Sequence, residues 1–542
     1  MGILAKSQSL GIAALLLAVS TILSRCMGLI REKIISWQFG AGSEADVYFA
    51  SFVVPDIINY LLAGGFMGIV LIPLLSKAFA KDEADGWKFF SAVLTWMALA
   101  AFCLTSLALF FAADLSRLAA PGLSGALNLR LQFFMHLTLP TQFFFLTGSC
   151  VMSILFLRRQ FVIPALAPLI YNGCIILFGV TLPMLGLVQG MTGYCVGVLV
   201  GAATGTLLLP LIVVRSGGLH YKPVLYHPLF KKFLLLALPL MLGQTITALD
   251  EQFLRIFGSL TGEGSVALLS YAKRLAQVPV ALIGQVAALA SYPFLVSLLT
   301  KGDTEGFTKV LTKALRTGTG LIIPLALWMA VLAPSAFSLL FFGGRMGGGE
   351  VLRAVPLLQL LLVAAPFWVI LEILTRGFYA MMDTVTPALS GTIVTLAFLP
   401  VYYFLAVPHG PAAIALCSFA GLLVFTIVLS IIWMRRQGAA IFRGLVSISF
   451  TSFFCALPGV ALGYYADAWI RDLMQDVSPI LSSLAGLSCA GLIFLVTFVP
   501  LAVHFCPDLF ERIQERLRRR FQKKTKKAEP DTPPQKTESK QA

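Results

Sequence analysis

The chain has 542 residues, 58% of them hydrophobic and 12% charged, with a net charge of +15. Soluble globular chains carry about 25% charged residues, and single cores stop growing beyond roughly 300 residues, so the surplus apolar surface must face lipid. This excludes a soluble enzyme, and nine cysteines scattered singly through apolar stretches, with no CxxC pair, exclude a disulfide framework.

In chain order, Lys6 followed by the apolar residues 10–23 imitates a signal peptide. No small-x-small cleavage site follows, and the apolar pattern continues through Arg25 towards Ile35, so the segment reads as a first membrane span. Runs of about 20 apolar residues are transmembrane candidates. Fourteen are expected, near 8–31, 47–79, 88–113, 130–157, 162–186, 188–214, 232–259, 266–300, 310–340, 352–381, 386–407, 410–434, 446–469 and 479–505. The runs 47–79 and 266–300 exceed a crossing, and Gly64-Gly65 and Pro279 are the expected bend points.

Lys and Arg crowd alternate loops: Lys77, Lys81 and Lys88, then Arg158-Arg159, then Arg215 to Lys232, then Lys301 to Arg316, then Arg435 to Arg443. The positive-inside rule therefore places both termini in the cytoplasm. Beyond the last span, Arg518-Arg519-Arg520 and Lys523-Lys524 in residues 507–542 predict a basic amphipathic helix on anionic lipid and then a disordered, proline-bearing tail. Such a stretch beside a span reads as a topology anchor, and no nucleic-acid partner is expected.

An internal repeat is visible. Residues 155–166 (LFLRRQFVIPAL) align with 378–389 (FYAMMDTVTPAL) at an offset of 223, and the same offset sets Tyr48 on Tyr271. A duplicated six-helix unit follows: an N-lobe over 1–220, a C-lobe over 221–440, and two further helices over 441–506. Parallel repeats of this kind build two lobes around a midplane site.

A charge at the bilayer centre costs about 2.5–3.5 kcal/mol on insertion scales, so intramembrane charges face a partner or water. Glu251 with Arg255, and Glu372 with Arg376, stand four apart with the acid first, so each pair is able to neutralise itself. Arg31 is able either to snorkel to the outer interface or to pair with Glu32, Asp46 or Asp56. Arg25 and the Lys273-Arg274 pair have no acid three or four positions away, which predicts facing walls of one cationic cavity. Guanidinium forks match phosphate oxygens, so the expected substrate is a phosphate-bearing anion. His136 reads as a satisfied polar group. Gln142, Asn172 and Gln244 read either as interhelical glue or as cavity lining.

Gly-Lys never occurs, which excludes a P-loop, and HExxH and GxSxG are absent. No loop is long enough for a catalytic domain. The chain is expected to move a substrate rather than transform it.

Two blocks carry a specific resemblance: Ser24-Arg25-Cys26-Met27-Gly28-Leu29-Ile30-Arg31-Glu32 with Phe39-Gly40 and Ala45-Asp46, and Gly377-Phe378-Tyr379-Ala380 with Asp383 and Pro387. Together with Tyr271-Ala272-Lys273-Arg274 they resemble the MurJ/MviN lipid II flippases, along essentially the whole chain. The resemblance implies an all-α membrane transporter with two pseudo-symmetric six-helix lobes plus two extra C-terminal helices that form a lipid-tail groove. It implies that Arg25, Arg31 and Arg274 contact the substrate's diphosphate. Asp46, Lys273, Glu372 and Arg376 are expected to line or gate the cavity. Some members carry Arg-Arg where this chain has Asn59-Tyr60 and an acid where it has Gly64, so the cavity is less basic near helix two, with charge shifted towards Glu372 and Arg376. Some members bind sodium in the second lobe, for which Asp250, Glu251 and Asp383 are the candidates here. Coupling to sodium or to the membrane potential, with no other cofactor, is the expectation. The implied setting is the bacterial inner membrane, with the lipid-linked peptidoglycan precursor as substrate and cell-wall synthases as partners. The rival readings are an exporter of another polyprenyl-diphosphate-linked oligosaccharide, a non-transporting scaffold for the synthases, and a multispanning glycosyltransferase, which the Asp-poor outer loops disfavour.

Overall fold

The structure, a computed structural model, describes residues 8–63 and 70–509. Within these, the side chains at 10, 14, 63, 239–248 and 289 fall outside the description, so Gln244 is placed by its backbone alone. Gly64, Gly65 and the basic tail from residue 510 lie outside the described residues.

Among the described residues there is no strand, only a lone bridge between Gly343 and Met346. Thirteen helical spans are long and apolar enough to cross a membrane. In the first half these are α1 (Gly11–Phe39), α2 (Ser43–Leu62), α3 (Glu83–Phe110), α4 (Ala126–Leu157), α5 (Val162–Met184) and α6 (Thr192–Ser216). The seventh expected position is held by α7, the 31-residue helix Pro228–Gly258. At 1.5 Å per residue it is about 46 Å long, ample for a hydrocarbon core of about 30 Å. Then follow α8 (Ser265–Thr300), α9 (Thr304–Val331), α10 (Gly348–Ala380), α11 (Val385–His409), α12 (Pro411–Gln437), α13 (Ala440–Leu473) and α14 (Pro479–Phe505). The span expected over 310–340 is broken at Leu332. Pro334 opens the separate helix Ala333–Phe341 at its N-terminal turn, where its missing N–H goes unneeded.

Local chemistry sets the ends. Asp82 accepts from the Asp85 amide at 3.3 Å and Asp303 from the Gly306 amide at 2.7 Å, capping α3 and α9. Proline opens α7, α12 and α14, where its missing N–H goes unneeded. Lipid provides no hydrophobic drive between helices, so close packing depends on small residues. Gly193, Gly197, Gly201 and Gly205 form a stripe on α6 that presses onto α5 backbone. A Cβ on Gly197 would lie 2.7 Å from the Cys174 carbonyl oxygen, and one on Gly201 2.9 Å from that of Tyr171.

The repeat has a backbone signature. Arg159 (φ 57°) and Met382 (φ 62°), 223 residues apart, are the two non-glycine residues with positive φ among the described residues. Each closes its helix with the same bond, from the Gln160 amide to the Leu155 carbonyl (2.8 Å) and from the Asp383 amide to the Phe378 carbonyl (3.0 Å). This is the left-handed helix end with its six-to-one bond, built twice. The two six-helix halves meet where α2 packs on α7 and α8, and where α1 packs on the Ala333–Phe341 helix, while α13 and α14 pack on each other and dock on α9 and that same short helix.

Candidate functional site

Arg25, Gly28 and Arg31 stand three residues apart, each turned about 60° from the last, so Arg25 reaches across to α8 of the other half while Arg31 lies against α5. A Cβ on Gly28 would meet nothing within 4 Å. Arg25 and Gln285 are both exposed, so the gap between the halves near the middle of α1 is open and forms a cleft.

Arg31 donates through Nη2 to Glu32 Oε1 at 2.7 Å and through Nη1 to Asn172 Oδ1 at 3.1 Å. Asn172, on α5, also reaches Ser24 Oγ at 3.3 Å. It is both glue and a rest for Arg31. From the opposite half, Arg274 brings its Nε to 3.9 Å from the same Glu32 oxygen. One buried carboxylate thus stands between two arginines of different halves. Arg274 keeps 41% of its side-chain surface, and the other Glu32 oxygen has no hydrogen-bond partner. Among the described residues no acid comes within 4.0 Å of the Arg25 guanidinium. Its Nη2 donates to Gln285 Oε1 of α8 at 2.6 Å, with both groups exposed in the cleft.

Glu372 and Arg376 of α10 complete this wall without pairing to each other, contrary to the self-neutralising alternative. The charges of Arg376 and Arg25 both act on Glu372, and Arg376 lies 6.0 Å from the rings of Tyr292 and Tyr379. Glu251 and Arg255 do pair, at 2.6 Å, and Arg255 also takes Asp56 of α2 at 2.8 Å. That trio, with Arg255 buried and both acids partly exposed, ties α7 to α2.

Lys273 departs from expectation. Its neighbour Arg274 turns into the cleft, but one residue is about 100° of helix, and Lys273 turns into the second half. There it pairs with Asp250 Oδ2 at 2.7 Å and lies 4.4 Å from the Trp368 ring. Asp250 Oδ1 accepts from Ser418 Oγ at 2.7 Å. The three carboxylates considered for sodium are not brought together: Asp250 is held by Lys273, Glu251 by Arg255, and Asp383 by Arg436 and Thr386. An ammonium already sits where a cation at Asp250 would go, and no cluster of three His, Cys, Asp or Glu side chains stands ready for a metal among the described residues. Asp250, Glu251 and Asp383 do not form one sodium site in this arrangement.

Asp46 is not in the cleft. It lies at one end of the bundle, buried, and accepts from the Gly264 amide (2.6 Å) and the Ala267 amide (2.8 Å), capping α8. In return Glu263 Oε1 accepts from the Ser43 amide at 3.1 Å, capping α2. The halves lie so close here that a Cβ on Gly264 (φ +80°) would fall 2.1 Å from the Ala41 carbonyl oxygen. Arg345 adds an amide bond to the Trp37 carbonyl at 2.9 Å. This end is sealed. His136, as expected, is satisfied locally by the Gln132 carbonyl at 2.6 Å, and Gln142 is buried against Thr141.

Of the three acids open to Arg31 in the sequence, Glu32 is the one that pairs with it, while Gln285 and Glu263 are functional residues that the sequence did not single out. Glu32 carried a signal, since an acid beside an intramembrane arginine invites pairing. Gln285 carried none, being a single neutral polar residue in an apolar run.

The profile of the family described as Lipid II flippase MurJ matches residues 35–482. The chain belongs to this family. A lipid II flippase MurJ of Burkholderia cenocepacia is 28% identical over 464 residues, covering 82% of this chain and 87% of that protein. A probable lipid II flippase MurJ of Borreliella burgdorferi is 22% identical over 509 residues, covering 93% and 98%. A solved structure of lipid II flippase MurJ in an inward closed conformation superposes with a TM-score of 0.74 at 22% identity, over 92% of this chain and all of that one. An inward-facing multidrug resistance MATE transporter of the MOP superfamily gives 0.64 at 16% identity, over 80% and 99%. These two likenesses establish the fold. MurJ is a transporter family, not an enzyme family, and its members here are multi-pass proteins of the bacterial inner membrane.

Proposed function

We propose that this chain translocates lipid II, the lipid-linked peptidoglycan precursor, from the inner to the outer leaflet by alternating access. The observation that carries the reading is the placing of Arg31 and Arg274, from opposite halves, on one Glu32 carboxylate, with Arg25 beside them in no close ion pair among the described residues. Arginines so arranged are short of anionic charge, and a diphosphate supplies it with paired oxygens that fit the guanidinium fork. The lipid tail stays in the bilayer while the head group crosses between the halves.

With both termini in the cytoplasm, the sealed end at Asp46 and Glu263 faces outward and the cleft receives its substrate from inside. Rocking the halves breaks the two reciprocal caps and opens the outer end. No nucleotide is needed. An anion leaving a negative-inside cell gains about 2.3 kcal/mol per charge per 100 mV, so the membrane potential is the coupling source this reading favours. Cell-wall synthases, which consume outer-leaflet precursor, are the implied partner class.

The test is depletion of this protein with lipid II measured in each leaflet, followed by rescue with Arg25→Ala or Arg274→Ala. Outer-leaflet lipid II is expected to vanish on depletion and to stay absent in both variants, with folded protein in the membrane. Full rescue by both variants defeats the reading.

A further inference from the structure

Gln285 lies near the middle of α8, facing the middle of α1. The α8 helix is regular up to Val280, contains Pro279, and then loosens into a π turn over Ala281–Gln285 before resuming at Val286. Packing holds the loosened turn in place: a Cβ on Gly284 would come 2.8 Å from Val369 Cγ2, so α8 is pressed onto α10 here. A π turn carries an extra residue per hydrogen-bonded loop and re-aims the side chains around it, and such turns gather at functional sites. The side chain re-aimed here is Gln285, whose Oε1 accepts from Arg25 Nη2 at 2.6 Å.

We infer that Gln285 is a positioning residue for Arg25: a neutral acceptor on one half that holds the arginine of the other half ready for the diphosphate and then gives it up. The inference rests on the functional reading above. Its force comes from contrast. The cationic groups of Arg31, Arg255, Lys273 and Arg274 all lie within 4.0 Å of a carboxylate, whereas Arg25, like Arg376, has none that close among the described residues, and its hydrogen-bond partner there is an amide.

The chemistry of that difference is specific. An arginine carries five N–H donors in a fixed fork, and one amide oxygen orients the group while leaving most of them free. A bond from a guanidinium to a phosphate oxygen is charge-assisted on both sides and is stronger than one to a neutral oxygen. An arriving diphosphate therefore displaces Gln285 readily, where it would have to compete with a carboxylate. Because the tether spans the two halves, its release also removes one link that holds α1 against α8.

The experiment uses the full-length protein in proteoliposomes, with lipid II as the probe and initial flipping rates fitted for KM and kcat. Gln285→Glu has nearly the same shape and adds a charge that locks Arg25. It is expected to raise KM for lipid II about tenfold or more, with kcat reduced and the unfolding temperature unchanged. Gln285→Ala removes the tether without adding a rival and is expected to raise KM only about two- to fivefold. Wild-type kinetics in both Gln285 variants, beside a dead Arg25→Ala, overturn the inference and leave the flippase reading standing. An active Arg25→Ala sinks the flippase site instead. Loss of folded protein in both Gln285 variants makes Gln285 a structural residue and overturns the inference as well.

Discussion

Asp46 on α2 accepts a hydrogen bond from the backbone amide of Gly264 at 2.6 Å, joining the two halves at the sealed end of the bundle. A second bond, from Ala267, and the reverse cap from Glu263 to Ser43 make this a reciprocal arrangement in which each half terminates a helix of the other. Four unpaired amides begin every helix and draw negative charge. The halves lend each other carboxylates beside an apolar contact, in which the Phe49 and Tyr271 ring centroids lie 5.2 Å apart, and the hydrogen-bonded part of the joint can be undone by water entering the same amides.

Asp46→Ala removes both bonds to α8. Hydrogen bonds to a charged acceptor contribute about 1.5–3 kcal/mol each, and 1.4 kcal/mol is a factor of ten in a population. Amide hydrogen exchange over residues 262–270 is expected to speed up at least tenfold, with spans remote from the joint unaffected. Unchanged exchange there would show that the cap does not hold this end closed.

Met382 offers a cleaner test of the repeat. It is fully outside the packed interior and sits at φ 62°, where a side chain is strained by about 1 kcal/mol and glycine is not. Met382→Gly is expected to raise the thermal unfolding midpoint by a degree or two without altering flipping. A drop would mean that the left-handed helix end is not what fixes this turn.

The apolar runs made the helices legible, because a bilayer-long stretch with few charges has few other homes. The cost of burying charge was enough to single out Arg25 and Arg274. It could not separate Lys273 from Arg274, since adjacent residues on a helix point about 100° apart and their partners, Asp250 and Glu32, are remote in sequence. For the same reason Asp46 read as a cavity acid although it caps a helix more than two hundred residues away. Leu332 shows a smaller failure: hydropathy ran straight through a break beyond which Pro334 opens a new helix. The repeat was legible in both copies of the Pro-Ala-Leu motif, yet its sharpest trace, the matched backbone at Arg159 and Met382, lies in dihedral angles that those two dissimilar side chains do not announce.

Lys273 and Asp250 should behave as one unit. Removing the ammonium in Lys273→Met leaves a largely enclosed carboxylate without its partner, a loss of about 2–3 kcal/mol, below the usual range for a buried pair because Asp250 keeps some exposure. The double variant Lys273→Met with Asp250→Asn is expected to recover most of that stability, a coupling that a double-mutant cycle on unfolding midpoints reads directly. Replacing sodium by potassium in the flipping assay is expected to leave the wild-type rate unchanged, because the site at Asp250 already holds its cation. A sodium-dependent rate would place the ion elsewhere in the protein.

Arg255 and Arg274 are both intramembrane arginines of the second half, and their substitutions should fail in different ways. Arg255 has 7% of its side chain exposed and holds Asp56 and Glu251 at once, so Arg255→Ala strands two acids inside the bundle. Breaking a buried pair from one side costs about 3–5 kcal/mol, and the variant is expected to accumulate poorly and to unfold early in detergent. Arg274 is far more open and only loosely held to Glu32. Arg274→Ala is expected to reach normal levels with a normal unfolding midpoint and to flip no lipid II. The comparison separates holding the halves together from holding the substrate. If Arg274→Ala were the unstable one and Arg255→Ala a well-folded protein without transport, the roles assigned to the cleft and to the α2–α7 joint would have to be exchanged.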